Sequence, residues 1–130
     1  MKSAALPVLA LLLAAGVLIA APDFAGTWAG KTEVPNAGPD DLTLVIQKKE
    51  DAQTKAVVYS ATLVDTLGYV APGTEVKEIK VEGNEMTFQF YLVDGTTLIS
   101  AKLTYKEETL SGTWVHPEGD SAELKFERKK

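Results

Sequence analysis

Two dipeptides constrain this chain more than any other feature. Gly83-Asn84 and Asp94-Gly95 are two-residue hairpin signals, and a two-residue turn fixes which residues face one another across it. The first pairs Val81 with Met86 and Ile79 with Phe88. The second pairs Phe90 with Ile99, Phe88 with Ala101 and Met86 with Leu103. Paired residues share a sheet face, so both turns place Met86, Phe88 and Phe90 on one apolar face. Glu107-Glu108 as a third turn continues that face, pairing Tyr105 with Leu110, Leu103 with Gly112 and Ala101 with Trp114. A three-residue turn at Glu118-Gly119-Asp120 continues it again, pairing Trp114 with Leu124 and Gly112 with Phe126.

Period-two alternation of this kind runs from Phe24 onward, with no long stretch of 3.6 periodicity. It predicts strands at 24–34, 42–49, 55–65, 76–82, 85–93, 96–106, 109–117 and 121–128. Val76 is out of phase with Ile79 and Val81, which predicts a bulge or short turn before that strand. In strand 55–65 the set Val57, Tyr59, Ala61 and Leu63 is read as inward. A four-residue turn at 50–53 then pairs Tyr59 with Leu44 and Val57 with Ile46. An eight-stranded sheet with one apolar face must bury it. The expected fold is all-β, an antiparallel up-and-down meander closed into a small barrel, which also removes exposed edges. A two-sheet sandwich is the alternative.

Before this domain, residues 4–21 carry no charge and follow Lys2, and Ala20-Ala21 precede Pro22-Asp23. A basic start, an apolar stretch and a small-residue exit predict a cleaved bacterial export signal over 1–21. The barrel domain is then 22–130, secreted or periplasmic, with no stable membrane insertion after cleavage. An uncleaved anchor is the alternative, since 18 apolar residues reach the lower edge for spanning a bilayer. Removing the segment leaves 12 bases against 18 acids, a net charge of -6. That balance argues against nucleic acid as a partner. The lack of Cys excludes disulfides, thiolate zinc sites and a cysteine nucleophile. One histidine excludes His-pair metal sites. No cofactor is expected.

The first strand reads FAGTWAGKTEV. Gly26-x-Trp28 at the start of a small meander resembles the Gly-x-Trp signature of lipocalins and the wider calycin group. In that group an arginine of the last strand packs across the first-strand tryptophan at the closed barrel end, and the resemblance assigns that role to Arg128. The chain looks most like small bacterial secreted lipocalin-like domains, which open with GTW-x-G and carry a late SGTW strand, here Ser111-Gly112-Thr113-Trp114. The two GTW strings also read as convergent use of glycine beside a bulky ring. No helix beside the barrel is visible, so the ligands of longer lipocalins do not transfer.

Turn order puts loops 35–41 and 66–73 and the turns at 94–95 and 118–120 at an open end. Tyr59, Phe90, Leu92, Ile99, Trp114 and His116 are expected to line the interior there, with Tyr69 on a lid loop. Such a pocket would take a small apolar or amphipathic ligand. The same side chains would serve equally as core filling. A connected cavity of roughly 300 Å³ or more, opening between loops 35–41 and 66–73, would favour binding, and a filled interior would favour a module without a ligand. An outer face with Val58, Tyr91, Val93 and Leu98 suggests a structural or protein-interaction module instead. Catalysis is not expected. Ser60, Ser100, Ser111 or Ser121 with His116 and Asp65 is the conceivable triad, but no Gly-x-Ser-x-Gly elbow exists. The paired acids at 40–41, 50–51 and 107–108 read as solvated turn residues.

Overall fold

The computed structural model describes residues 22–130; the expected export signal lies outside the described residues. Nine strands follow in chain order: β1 Gly26–Val34, β2 Gly38–Glu50, β3 Val57–Asp65, β4 Thr74–Glu75, β5 Lys77–Glu82, β6 Glu85–Tyr91, β7 Leu98–Lys106, β8 Thr109–Val115 and β9 Ser121–Arg128. They form one antiparallel sheet in the order β4-β3-β2-β1-β9-β8-β7-β6-β5. Every neighbour but one is a chain neighbour. The exception pairs β9 with β1 and curls the meander into a nearly closed barrel.

The seam falls on β4 and β5, which are two halves of one kinked strand. Thr74 and Glu75 pair with β3, and Val76 N donates to the Ala61 carbonyl at 2.9 Å. Lys77 and Lys80–Glu82 pair with β6 instead, across a register shift between Lys77 and Lys80. Glu78 takes φ 52°, a left-handed conformation that bulges the strand and turns it from one partner to the other. The bulge announced by Val76 is thus inside the strand rather than before it. Residues 57–60 of β3 take their ladder only from β2.

The hairpins at 83–84, 94–95 and 107–108 have the registers their turns dictate, apart from the bulge. Other registers differ. β2 begins at Gly38, so the expected loop 35–41 is a turn over 35–37, with Asn36 at φ 66° and Ala37 N bonded to the Val34 carbonyl. The β2–β3 connection is longer than expected. Asp51 accepts the amides of Gln53 and Thr54, and its own N–H reaches the Ala56 carbonyl, which closes a loop over 51–56. Tyr59 therefore faces Lys48, not Leu44, and Val57 faces Glu50. At the last hairpin Pro117 has no N–H for the ladder and ends β8 early. His116 pairs with Asp120, so Trp114 faces Ala122 and Gly112 faces Leu124, two residues off the expected pairs.

These registers fill the barrel from one end. Phe24 and Trp28 are fully buried, and the Trp28 indole N–H donates to the Phe24 carbonyl at 3.0 Å. Phe24 stacks edge-on against Tyr59 and Tyr105. Arg128 covers the plug from outside: its Cζ lies 4.3 Å from the Trp28 ring centre. Its two terminal nitrogens donate to the carbonyls of Ala25 and Asp23, and Nε pairs with Glu108 at 2.7 Å. Lys129 N bonds the Thr27 carbonyl beside it, so the described chain enters and leaves the barrel at this closed end. The glycines make room for groups other than tryptophan rings. A Cβ on Gly30 would strike Phe126, one on Gly26 the Arg128 guanidinium, and one on Gly112 the Lys102 carbonyl of β7.

Candidate functional site

The other end stays open. The inward residues of β2, β3, β6, β7 and β9 leave a cavity of about 230 Å³ between them. Leu42 and Leu63 form one wall, Phe88, Phe90 and Ile99 the facing one, and Leu124 and Phe126 the floor toward the closed end. The volume falls short of the roughly 300 Å³ that would favour binding, so size alone does not separate core filling from a pocket for a molecule smaller than a drug-sized ligand.

Tyr69, Phe90, Leu92, Ile99, Trp114 and His116 all border this cavity. Tyr59 does not. The four-residue register difference carries it to the closed end, against Phe24. The segment 66–73 crosses the mouth and is tied to the β6–β7 turn by Val93 N donating to the Tyr69 carbonyl at 2.7 Å. Val70 folds inward from it and is buried, while Tyr69 stays exposed at the rim.

Polar groups on the wall are few and mostly satisfied. The Trp114 indole N–H donates to the Thr32 hydroxyl at 2.7 Å, and that hydroxyl donates to the Glu123 carbonyl at 2.7 Å. His116 Nδ1 accepts the Glu118 amide, so the neutral ring carries its proton on Nε2. Ser60, Ser100, Ser111 and Ser121 are exposed on the outer face of their strands, so none of them meets His116 inside.

One acid was not expected here. Asp40 belongs to β2, not to a solvated turn, and is 3% exposed. It shares the inward face of Leu42, Leu44 and Ile46. One of its oxygens accepts the Thr66 amide, the Thr66 hydroxyl and the Leu67 amide, at 3.0–3.1 Å. Asp65, diagonal to it on β3, accepts the amides of Tyr69 and Val70. Burial first, and then the neighbouring Asp65 carboxyl, push the Asp40 carboxyl above its ordinary range. Together the pair anchors the segment that crosses the mouth. The alternation of Asp40 with Leu42 and Leu44 was the available signal. Asp41, its neighbour, is exposed and pairs with Lys31.

The apolar outer face is divided. Val57 and Val58 are exposed near the closed end, whereas Leu67, Tyr69, Tyr91 and Val93 are exposed around the mouth. Val58 therefore does not join Tyr91, Val93 and Leu98 in one patch.

Strand pairing and cavity define a small all-β barrel with an internal cavity. No protein-family model matches the chain, and no curated protein matches it. A solved structure of a de novo designed fluorescence-activating beta barrel is similar, with a TM-score of 0.46 and 16% identity over 82% of this chain and 94% of the designed one. The barrel itself is read from the strand pairing.

Proposed function

We propose that this chain is a secreted, non-catalytic, lipocalin-like barrel that holds one small apolar or amphipathic molecule in its mouth-side cavity. The observation that carries the reading is the cavity of about 230 Å³, walled by aliphatic and aromatic side chains and bordered by a few polar groups. The Gly26-x-Trp28 strand with Arg128 stacked over its indole supports the lipocalin-like grouping. The basic, apolar and small-residue order of residues 1–21 supports export. The serines facing away from His116 support a role without catalysis.

Small aromatic probes such as toluene and indole, titrated into the purified protein under two-dimensional NMR, test this. Saturable shifts confined to Phe90, Ile99, Trp114 and His116 are expected, and Ile99→Trp, which fills the space, removes them. An absence of saturable shifts with every probe up to its solubility limit rejects the binding reading. The exposed Leu67, Tyr69, Tyr91 and Val93 around the mouth favour a second reading, a protein-interaction module whose partner docks on the rim.

A further inference from the structure

One side chain narrows the opening of the cavity. Between Thr66 and Gly73 the chain runs outside the sheet ladder, and Val70 alone on that stretch is buried, at 4% exposed. It belongs to the cavity wall and to the core beneath the mouth. Tyr69 and Pro72 beside it are exposed, and Ala71 is half-buried. A stretch with a single inward side chain has little apolar burial to lose when it swings out.

The fastenings of this stretch suit such a movement. Ahead of it, buried Asp40 grips Thr66 and Leu67. Behind it, Thr74 bonds back to the Ala71 carbonyl and opens the ladder of β4. Gly68 at φ 84° and Gly73 at φ 79° bracket the piece between, each with open space where a Cβ would stand. Glycine leaves the backbone free to rotate at both ends. The piece is latched on its rim side. The amides of Tyr69 and Val70 donate to Asp65 at 3.0 and 2.9 Å, and the Tyr69 carbonyl accepts from Val93 N at 2.7 Å. Asp65 is half-buried and Val93 is exposed, so water replaces these bonds when the piece leaves. Size gives the movement a purpose. An apolar cavity of roughly 150 Å³ holds a benzene-sized molecule. The space of about 230 Å³ under Val70 therefore takes a one-ring molecule and is too small for three rings.

We propose that residues 69–72 form a flap with Val70 as its stopper, and that the flap sorts ligands by size: one-ring molecules bind beneath it, and larger neutral apolar molecules bind by displacing it. This rests on the reading of the cavity as a binding site. A larger ligand binds only the open state, so its affinity falls with the fraction of protein that is open.

Toluene and N-phenyl-1-naphthylamine, a neutral three-ring fluorophore, serve as the small and large probes. The chain has no cysteine, so Tyr69→Cys combined with Val93→Cys allows a single disulfide, at two exposed positions already joined through the backbone. In that variant toluene is expected to bind equally with the disulfide formed or reduced, whereas the naphthylamine binds about tenfold more weakly when it is formed. The unaltered protein supplies a second readout, which decides even where the disulfide does not form. Amide hydrogen exchange at Tyr69, Val70 and Val93 is expected to run about tenfold faster with the naphthylamine bound than with toluene bound. Equal naphthylamine affinity in the oxidised and reduced variant, unchanged exchange at those amides, or failure of the naphthylamine alone to bind overturns the flap and leaves the binding cavity standing. Failure of both probes to bind overturns the two together.

Discussion

Replacing Arg128 by alanine tests how the closed end is held. The side chain is about one-fifth exposed and makes three kinds of contact. Its donors to the carbonyls of Ala25 and Asp23 are charge-assisted, each contributing on the order of 1 kcal/mol where solvent reaches part of the site. Stacking on the Trp28 ring adds about 1 kcal/mol. The pair with Glu108 adds little, because Glu108 is well exposed and screened. Arg128→Ala is therefore expected to cost about 3 kcal/mol and to lower Tm by roughly 10–15 °C. Arg128→Lys keeps the charge but loses the planar fork, and recovers at most about half of this. Glu108→Gln moves the midpoint by only a small fraction of the Arg128→Ala shift. Urea unfolding followed by tryptophan fluorescence measures all three, with an unchanged m-value showing that the unfolded reference is the same. A loss below about 1 kcal/mol for Arg128→Ala would refute the reasoning. So would a Glu108→Gln variant as unstable as Arg128→Ala, since the surface ion pair would then be the fastening.

Three further outcomes follow from local geometry. Gly112→Ala puts a methyl group onto the Lys102 carbonyl, a backbone atom that cannot rotate away. It is expected to cost about 3 kcal/mol by denaturant titration, more than Gly30→Ala, where only the Phe126 ring must shift. Thr32→Val strands the Trp114 indole N–H and the Glu123 carbonyl. A loss of about 2 kcal/mol, with a shifted Trp114 emission, is expected. Asp94 accepts the amides of Thr96 and Thr97 and the Thr97 hydroxyl, and the hydroxyl bond leads in holding its carboxyl down from 3.8 to about 2. Its folded pKa lies below its unfolded one, so the stability it contributes is complete above pH 3.8 and is lost as pH falls through about 2. The Tm gap between the parent and Asp94→Asn should close over that window and stay constant above it.

The barrel was legible wherever a two-residue turn set the parity of both flanking strands. Phe88, Ala101 and Trp114 lie in one row because the turns at 94–95 and 107–108 admit no other pairing. Legibility failed where a single group overrode the count. The Asp51 carboxylate collects two amides and lengthens its loop, which carries Tyr59 away from the cavity. Pro117 cannot donate to the ladder, which slides β9 by two residues without changing which face points inward. Glu78 hides a bulge that alternation alone shows only as a phase error at Val76. Phe24 opens the expected strand 24–34, but the observed strand begins at Gly26 and no pairing in the sequence marks Phe24 as the plug. Asp40 was readable in principle. It keeps the beat of Leu42, Leu44 and Ile46, but a charged residue beside Pro39 and Asp41 resembles a solvated turn until its amide donors are seen.

Both ends of the described chain sit at the sealed pole, because the first and last strands are neighbours in the sheet. Anything joined ahead of Pro22 or after Lys130 therefore attaches on the side away from the opening. A tether fixed there would hold the rim outward, and its length would govern reach but not access. Fusion of a reporter or a capture tag to either terminus would likewise leave the doorway clear. The nine strands between those ends could be re-cut at an exposed bend such as 117–119, with the old termini spliced across the cap.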